Sequence, residues 1–143
     1  MTAPSRRRER GSITVWMLGL SLLLLTFGGL SIDFWRALAL QRQLAAVADS
    51  AAIAAAAGID EAEYRASGLL TLDPSRAVDL GTAYVSTRDV DLTYLQIDTS
   101  ANGEEVSVEV AGDLDLGLMR LFVAGDEPLV VRARATAVPV LVP

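Results

Sequence analysis

The chain contains no cysteine, no histidine and no lysine. Without cysteine there is no disulfide framework, so an exported domain must hold together by packing alone. Without histidine and lysine, most metal sites and most of the usual general bases are excluded. Ser and Asp are plentiful, but no His, Cys or Lys is present to activate a nucleophile, and no Gly-rich phosphate loop occurs. Asp89-Val90-Asp91 and Asp113-Leu114-Asp115 have a spacing that can join a Ca²⁺ site, yet no EF-hand loop follows either pair, and solvated turns are the plainer reading. The chemistry left is that of a non-enzyme, with no cofactor, no metal and no small-molecule substrate.

Basic charge is scarce outside one place. Residues 1–12 carry four Arg and one Glu, a net of +3, whereas residues 33–143 carry eight Arg against seventeen acids, a net of −9. An acidic body argues against a nucleic-acid partner, because phosphate backbones are held by basic surfaces. The basic leader has a simpler use. Ile13 to Ile32 is a run of twenty residues without a charge. About 30 Å of hydrocarbon needs about 20 helical residues, so the run is long enough to span a bilayer. Arginines on its N-terminal side predict a cytoplasmic N-terminus and an outer C-terminal part.

A cleaved signal peptide is the alternative, and Ala37-Leu38-Ala39 fits its A-x-A site. The apolar run is too long for a signal core, and helix-compatible sequence continues past the site, so an anchor is the preferred reading. Small residues punctuate the span at Gly19, Ser21, Gly28 and Gly29, but no strict GxxxG is present. Trp35 is placed for the outer headgroup level, and Asp33 and Arg36 are spaced to meet on one helical face.

No proline interrupts the sequence from Ile13 to Gly58. The alanine-rich text ALALQRQLAAVADSAAIAAAA has high helix propensity. One helix over 12–57 is predicted, about 69 Å long, with Gly58 as a left-handed cap. Leu40, Leu44, Val47, Ala51 and Ala54 form one stripe, with Arg42 and Asp49 away from it. That stripe packs either on the chain's own domain or between subunits of an assembly.

The rest reads as one small α+β domain over 58–143. Asp60 to Glu63 is a turn or short helix. Asp73-Pro74 is a strong helix start, and Ala77, Val78, Gly81, Tyr84 and Val85 recur at helical spacing, which predicts a helix over 74–86. Residues 92–99 read as a strand with Leu95 and Ile97 on one face. Asn102-Gly103 signals a hairpin. Val106, Val108 and Val110 alternate with polar residues. Leu116 to Val123 suits a short helix. Leu129 to Ala137 is a third strand with Arg132 and Arg134 on its wet side. The fold expected is a long N-terminal helix, transmembrane in its first half, then a small helix and an antiparallel three-stranded sheet. The domain limits are a leader at 1–11, the helix at 12–57 with its span at 13–32, and the outer domain at 58–143.

Residues 10–58 resemble the N-terminal module of Flp pilus-assembly TadE/TadG-like proteins. The resemblance rests on Arg10-Gly11-Ser12 before the span, Asp33 at its end, Gln41-Arg42-Gln43-Leu44, and Ala48-Asp49-Ser50-Ala51-Ala52. It implies a pilin-like or pseudopilin-like bacterial membrane protein of a Tad-type pilus or secretion apparatus. Its partners would be membrane lipid, other Tad assembly proteins and further copies of itself. Some relatives are processed by a prepilin peptidase after a Gly, and the matching bond here is Gly11–Ser12. Trp16 stands where pilins usually carry Glu, which favours a minor component, or a TadG-like member that stays in the cytoplasmic membrane, over a major subunit. Trp16, Asp33, Arg36, Leu44, Asp49, Ala51 and Ala52 are the expected packing residues of the helix. The alternative is a membrane-anchored accessory or binding module of an envelope complex with no filament role.

Overall fold

The computed structural model describes residues 10–115, 117 and 128–140. Its elements, in chain order, are α1 (Arg10–Ala56), α2 (Glu61–Ser67), α3 (Pro74–Ser86), β1 (Tyr94–Thr99), β2 (Val106–Leu114) and β3 (Leu129–Ala137). The architecture is the predicted α+β arrangement. The short helix expected from Leu116 to Val123 lies, apart from Gly117, outside the described residues. The chain divides into two compact units: Met1–Arg36 with Leu116–Glu127, and Ala37–Asp115 with Pro128–Pro143.

The second unit is built on an antiparallel sheet ordered β1-β2-β3. Ile97 faces Val108 across β1 and β2, and Val108 faces Ala135 across β2 and β3. Period-two alternation sets the face. Val106, Val108 and Val110 are fully buried, while Arg132 and Arg134 on β3 are exposed. The buried face packs on Leu44, Ala48, Ala51 and Ala52 of α1. Leu44 and the three valines are the largest fully buried side chains, so the core is small and dominated by alanine and valine.

The short helices start where cap chemistry places them. The Asp73 carboxylate accepts from the Ser75 and Arg76 amides at 2.9 and 3.3 Å, with Pro74 opening α3. The Asp60 carboxylate does the same for α2, accepting from Ala62 and Glu63 at 2.9 and 3.0 Å. Gly68, at φ +75°, closes α2 in the left-handed conformation.

One turn expectation is corrected. Gly58 is not a left-handed cap: among the described residues only Gly68 and Gly103 have positive φ. A Cβ on Gly58 would lie 2.7 Å from the Ala77 nitrogen and 2.9 Å from its Cα. Glycine is needed there because the start of α3 comes too close for a side chain. The hairpin is present, but Asn102 has no positive φ, so the turn is not the two-residue primed type. Thr99 and Val106 are the last pair, and Gly103 donates to the Ser100 carbonyl at 2.9 Å. The Gly103 carbonyl in turn accepts from Leu72 at 2.9 Å, tying the hairpin tip to the segment between α2 and α3.

Tyr84, on α3, titrates below the ordinary tyrosine value of 10.0. Its hydrogen bond with Ser50 of α1 is the main cause. Partial burial opposes the shift, and Arg88, whose Nη2 donates to the phenol oxygen at 2.5 Å, adds to it. A lowered folded value means that the stability this group adds is complete above about pH 10, where the unfolded phenol is ionised too, and is lost as pH falls through the folded value. Tyrosinate absorbance is expected to show one of the three tyrosines ionising ahead of the others, with Tyr84→Phe removing that early component. Simultaneous titration of all three would show that the Ser50 and Arg88 contacts do not hold.

Candidate functional site

Among the described residues no group of carboxylates is placed to hold a metal ion. Asp113 and Asp115 are exposed on either side of the buried Leu114, and Asp89 and Asp91 are exposed. A polar depression of about 240 Å³ on the open face of the sheet is lined by Asp98, Thr99, Ser100, Glu105, Ser107 and Arg134. It lacks a nucleophile paired with a base. Arg132 on the same face pairs with Glu109 at 3.3 Å, an exposed contact worth little by itself. The surface with the strongest character is α1.

In the first unit, the helix from Ile13 to Ile32 is bare. Trp16 is 73% exposed, and Leu18, Leu22, Leu25 and Phe27 are similarly open. Among the described residues α1 is the one helix long and apolar enough to cross a membrane, and none of its most apolar stretch is buried by the protein. Two of the hydroxyls within it are bonded locally: Thr26 donates to the Leu22 carbonyl and Ser31 to the Phe27 carbonyl, both at 2.8 Å. Such an i−4 bond gives a hydroxyl proton a partner without water.

Asp33 is the one buried polar or charged residue among those described, at 4% exposure. Its Oδ1 accepts from the Gly117 amide at 3.1 Å. A Cβ on Gly117 would lie 2.7 Å from that oxygen, so the approach depends on glycine. Arg36, three residues on from Asp33, is exposed. Local spacing alone offered Arg36 as the natural neighbour of this carboxylate. The Gly117 contact spans 84 residues and had no local signal.

In the second unit, Leu44, Ala51 and Ala52 are fully buried against the chain's own sheet. Of the two open readings of the stripe, packing on its own domain is the one seen in the single chain. Ala54 is only half-buried, and Ala48 and Ala55 carry the inward face. Gly81 of α3 makes that face compact: a Cβ there would come within 3.3 Å of the Ala55 Cβ and 2.6 Å of Ile97 Cδ1. Asp49 points away from this core and is exposed, as is Arg42. The Gly11–Ser12 bond falls in the first turn of α1.

Residues 11–58 match the family model for Flp pilus-assembly TadE/G-like proteins. No curated protein and no solved structure matches the chain.

Proposed function

From the match of its N-terminal third to the family model for TadE/G-like Flp pilus-assembly proteins, we propose that this chain is a non-catalytic, membrane-anchored component of a Tad-type pilus or secretion apparatus. In this reading Ile13–Ile32 lies in the cytoplasmic membrane, the arginine-rich leader stays inside, and the α+β domain stands outside. The observation that carries it is the coincidence of the family match with α1. That match covers a bare apolar span followed by a helix whose inner face is already the core of a small domain. A helix so divided supplies anchorage at one end and holds the domain at the other. Trp16, in place of a glutamate, favours an anchored or minor component over a major filament subunit.

The absence of native cysteine makes the topology directly testable. In intact cells, A101C, on the exposed hairpin tip, is expected to react with a membrane-impermeant maleimide. T2C, in the leader, is expected to react only after permeabilisation. Labelling of T2C in intact cells would refute the orientation. The mature mass adds a second readout: an intact chain or a start at Ser12 fits the anchor, whereas a start at Leu40 defeats it. Loss of surface pili on deleting the chain from a Tad-bearing bacterium is the expected functional result, and unchanged piliation would remove the assembly role.

A further inference from the structure

The outer half of α1 has a second face, opposite its core face. Ala39, Arg42, Ala46, Asp49 and Ile53 are all exposed, and Ile53 is 63% so. Steps of three, four and seven residues place them along one stripe. Neither Arg42 nor Asp49 has an ion-pair or hydrogen-bond partner among the described residues.

From this stripe we infer a register between copies of the chain: parallel α1 helices pack with an offset of seven residues, so that Asp49 of one copy meets Arg42 of the next. This deepens the assembly reading above and rests on it. Three arrangements set the charged positions of two copies against each other on this face. The antiparallel one is excluded for chains anchored in one membrane, because the basic leader orients every copy alike. Parallel copies at equal depth place Arg42 against Arg42 and Asp49 against Asp49, which is repulsive. The seven-residue offset reverses that. Asp49 faces Arg42, Ile53 lies on the neighbour's Ala46, and Ala46 lies on its Ala39. Small residues at both alanine positions allow the helices to approach closely.

The offset corresponds to about 10.5 Å along the axis, at about 1.5 Å per residue. Two spans seated at the same depth in a bilayer cannot adopt it, so the register belongs to the minor-component form of the reading, in which copies inserted with one orientation are then shifted along the helix axis into an assembly. Such a contact is heterologous. It uses two different ends of one stripe, leaves each copy with a free half-site, and propagates instead of closing. An exposed ion pair adds only about one- to five-fold in affinity. The charges therefore select the register, and apolar contact supplies the attraction.

The test uses the full chain in detergent micelles, where bilayer depth no longer fixes the spans. Differently tagged A46C and I53C chains are co-expressed and oxidised, which leaves Arg42 and Asp49 untouched. The expected result is a mixed A46C–I53C disulfide several-fold more abundant than the A46C–A46C one. D49R on both chains is expected to lower the mixed product several-fold, and the exchanged pair R42D/D49R to restore it. Since all four substituted positions are exposed, loss of fold does not confuse the outcome, and an unchanged circular-dichroism spectrum checks this. Predominant A46C–A46C cross-linking, or a mixed yield indifferent to D49R, overturns the register. Piliation that depends on the chain while the mixed product is absent removes the register alone. A mixed product without any effect on piliation keeps the register and removes the pilus role.

Discussion

Leu44→Ala is expected to cost the outer domain about 2–5 kcal/mol, the range for removing a large buried aliphatic side chain. Leu44 is fully buried and lies among Ala48, Ala51, Ala52, Val108 and Val110. Alanines contribute little area each, so this one leucine supplies much of what the helix gives the core. The gap left would be lined by alanine methyls and by Val108 and Val110, whose short or β-branched side chains have little freedom to refill it. A small domain has only about 0.05–0.15 kcal/mol per residue in total, so the loss is a large share of its stability. Urea unfolding of the full chain in detergent measures the effect. All three tyrosines lie in the second unit, and their near-ultraviolet circular dichroism reports on it specifically. Ile53→Ala, on the exposed side of the same helix, is the control and should fall within about 0.5 kcal/mol of the parent. If Leu44 instead served an interface between subunits, Leu44→Ala would leave unfolding unchanged and weaken only self-association.

The parts of this fold that could be read from the sequence are those governed by local rules. Asp73-Pro74 starts a helix through its own carboxylate and fixed φ, and α3 begins at Pro74 for that reason. Val106, Val108 and Val110 show their common face by alternation. The twenty uncharged residues show, by length and composition, a helix that could cross a membrane. What could not be read depends on partners distant in sequence. Gly58 looks like a cap because it follows an alanine helix, yet its glycine is required by the backbone at Ala77. Asp33 looks like a partner for Arg36, yet Gly117 reaches it from 84 positions away. On α1 the sequence left open whether Leu44, Ala51 and Ala52 face the domain or a neighbour. Period alone places residues on a stripe but does not say what covers it. The buried sheet face answers that for the inner stripe, and directs attention to Arg42 and Asp49 on the outer one.

Gly58→Ala is the second large effect, and its sign separates two explanations of the same residue. Gly58 does not have a positive φ, so its backbone conformation is open to alanine. On backbone entropy alone, Gly→Ala at such a position stabilises by about 0.4–1 kcal/mol. The steric term opposes this. The new methyl would lie 2.7 Å from the Ala77 nitrogen, 2.9 Å from its Cα and 3.0 Å from the Arg76 carbonyl carbon. All three are backbone atoms at the start of α3, and none can swing aside as a side-chain tip would. Relief requires moving α3 away from the end of α1. That strains the bond from the Asp73 amide to the Gly58 carbonyl, now 2.9 Å, and the bridge between Ile59 and Leu72. Overpacking of this kind costs about 1–3 kcal/mol, which outweighs the entropic gain. Gly68→Ala makes the comparison informative. Gly68 has φ +75° and open space around it, so its penalty is conformational only, of about 1–2 kcal/mol. The expected order is that Gly58→Val destabilises most, with Gly58→Ala clearly destabilising, both read from urea midpoints with unchanged slope. A neutral or stabilising Gly58→Ala would mean that α3 does not press on the end of α1 as described, and would return Gly58 to the role of an ordinary helix terminator.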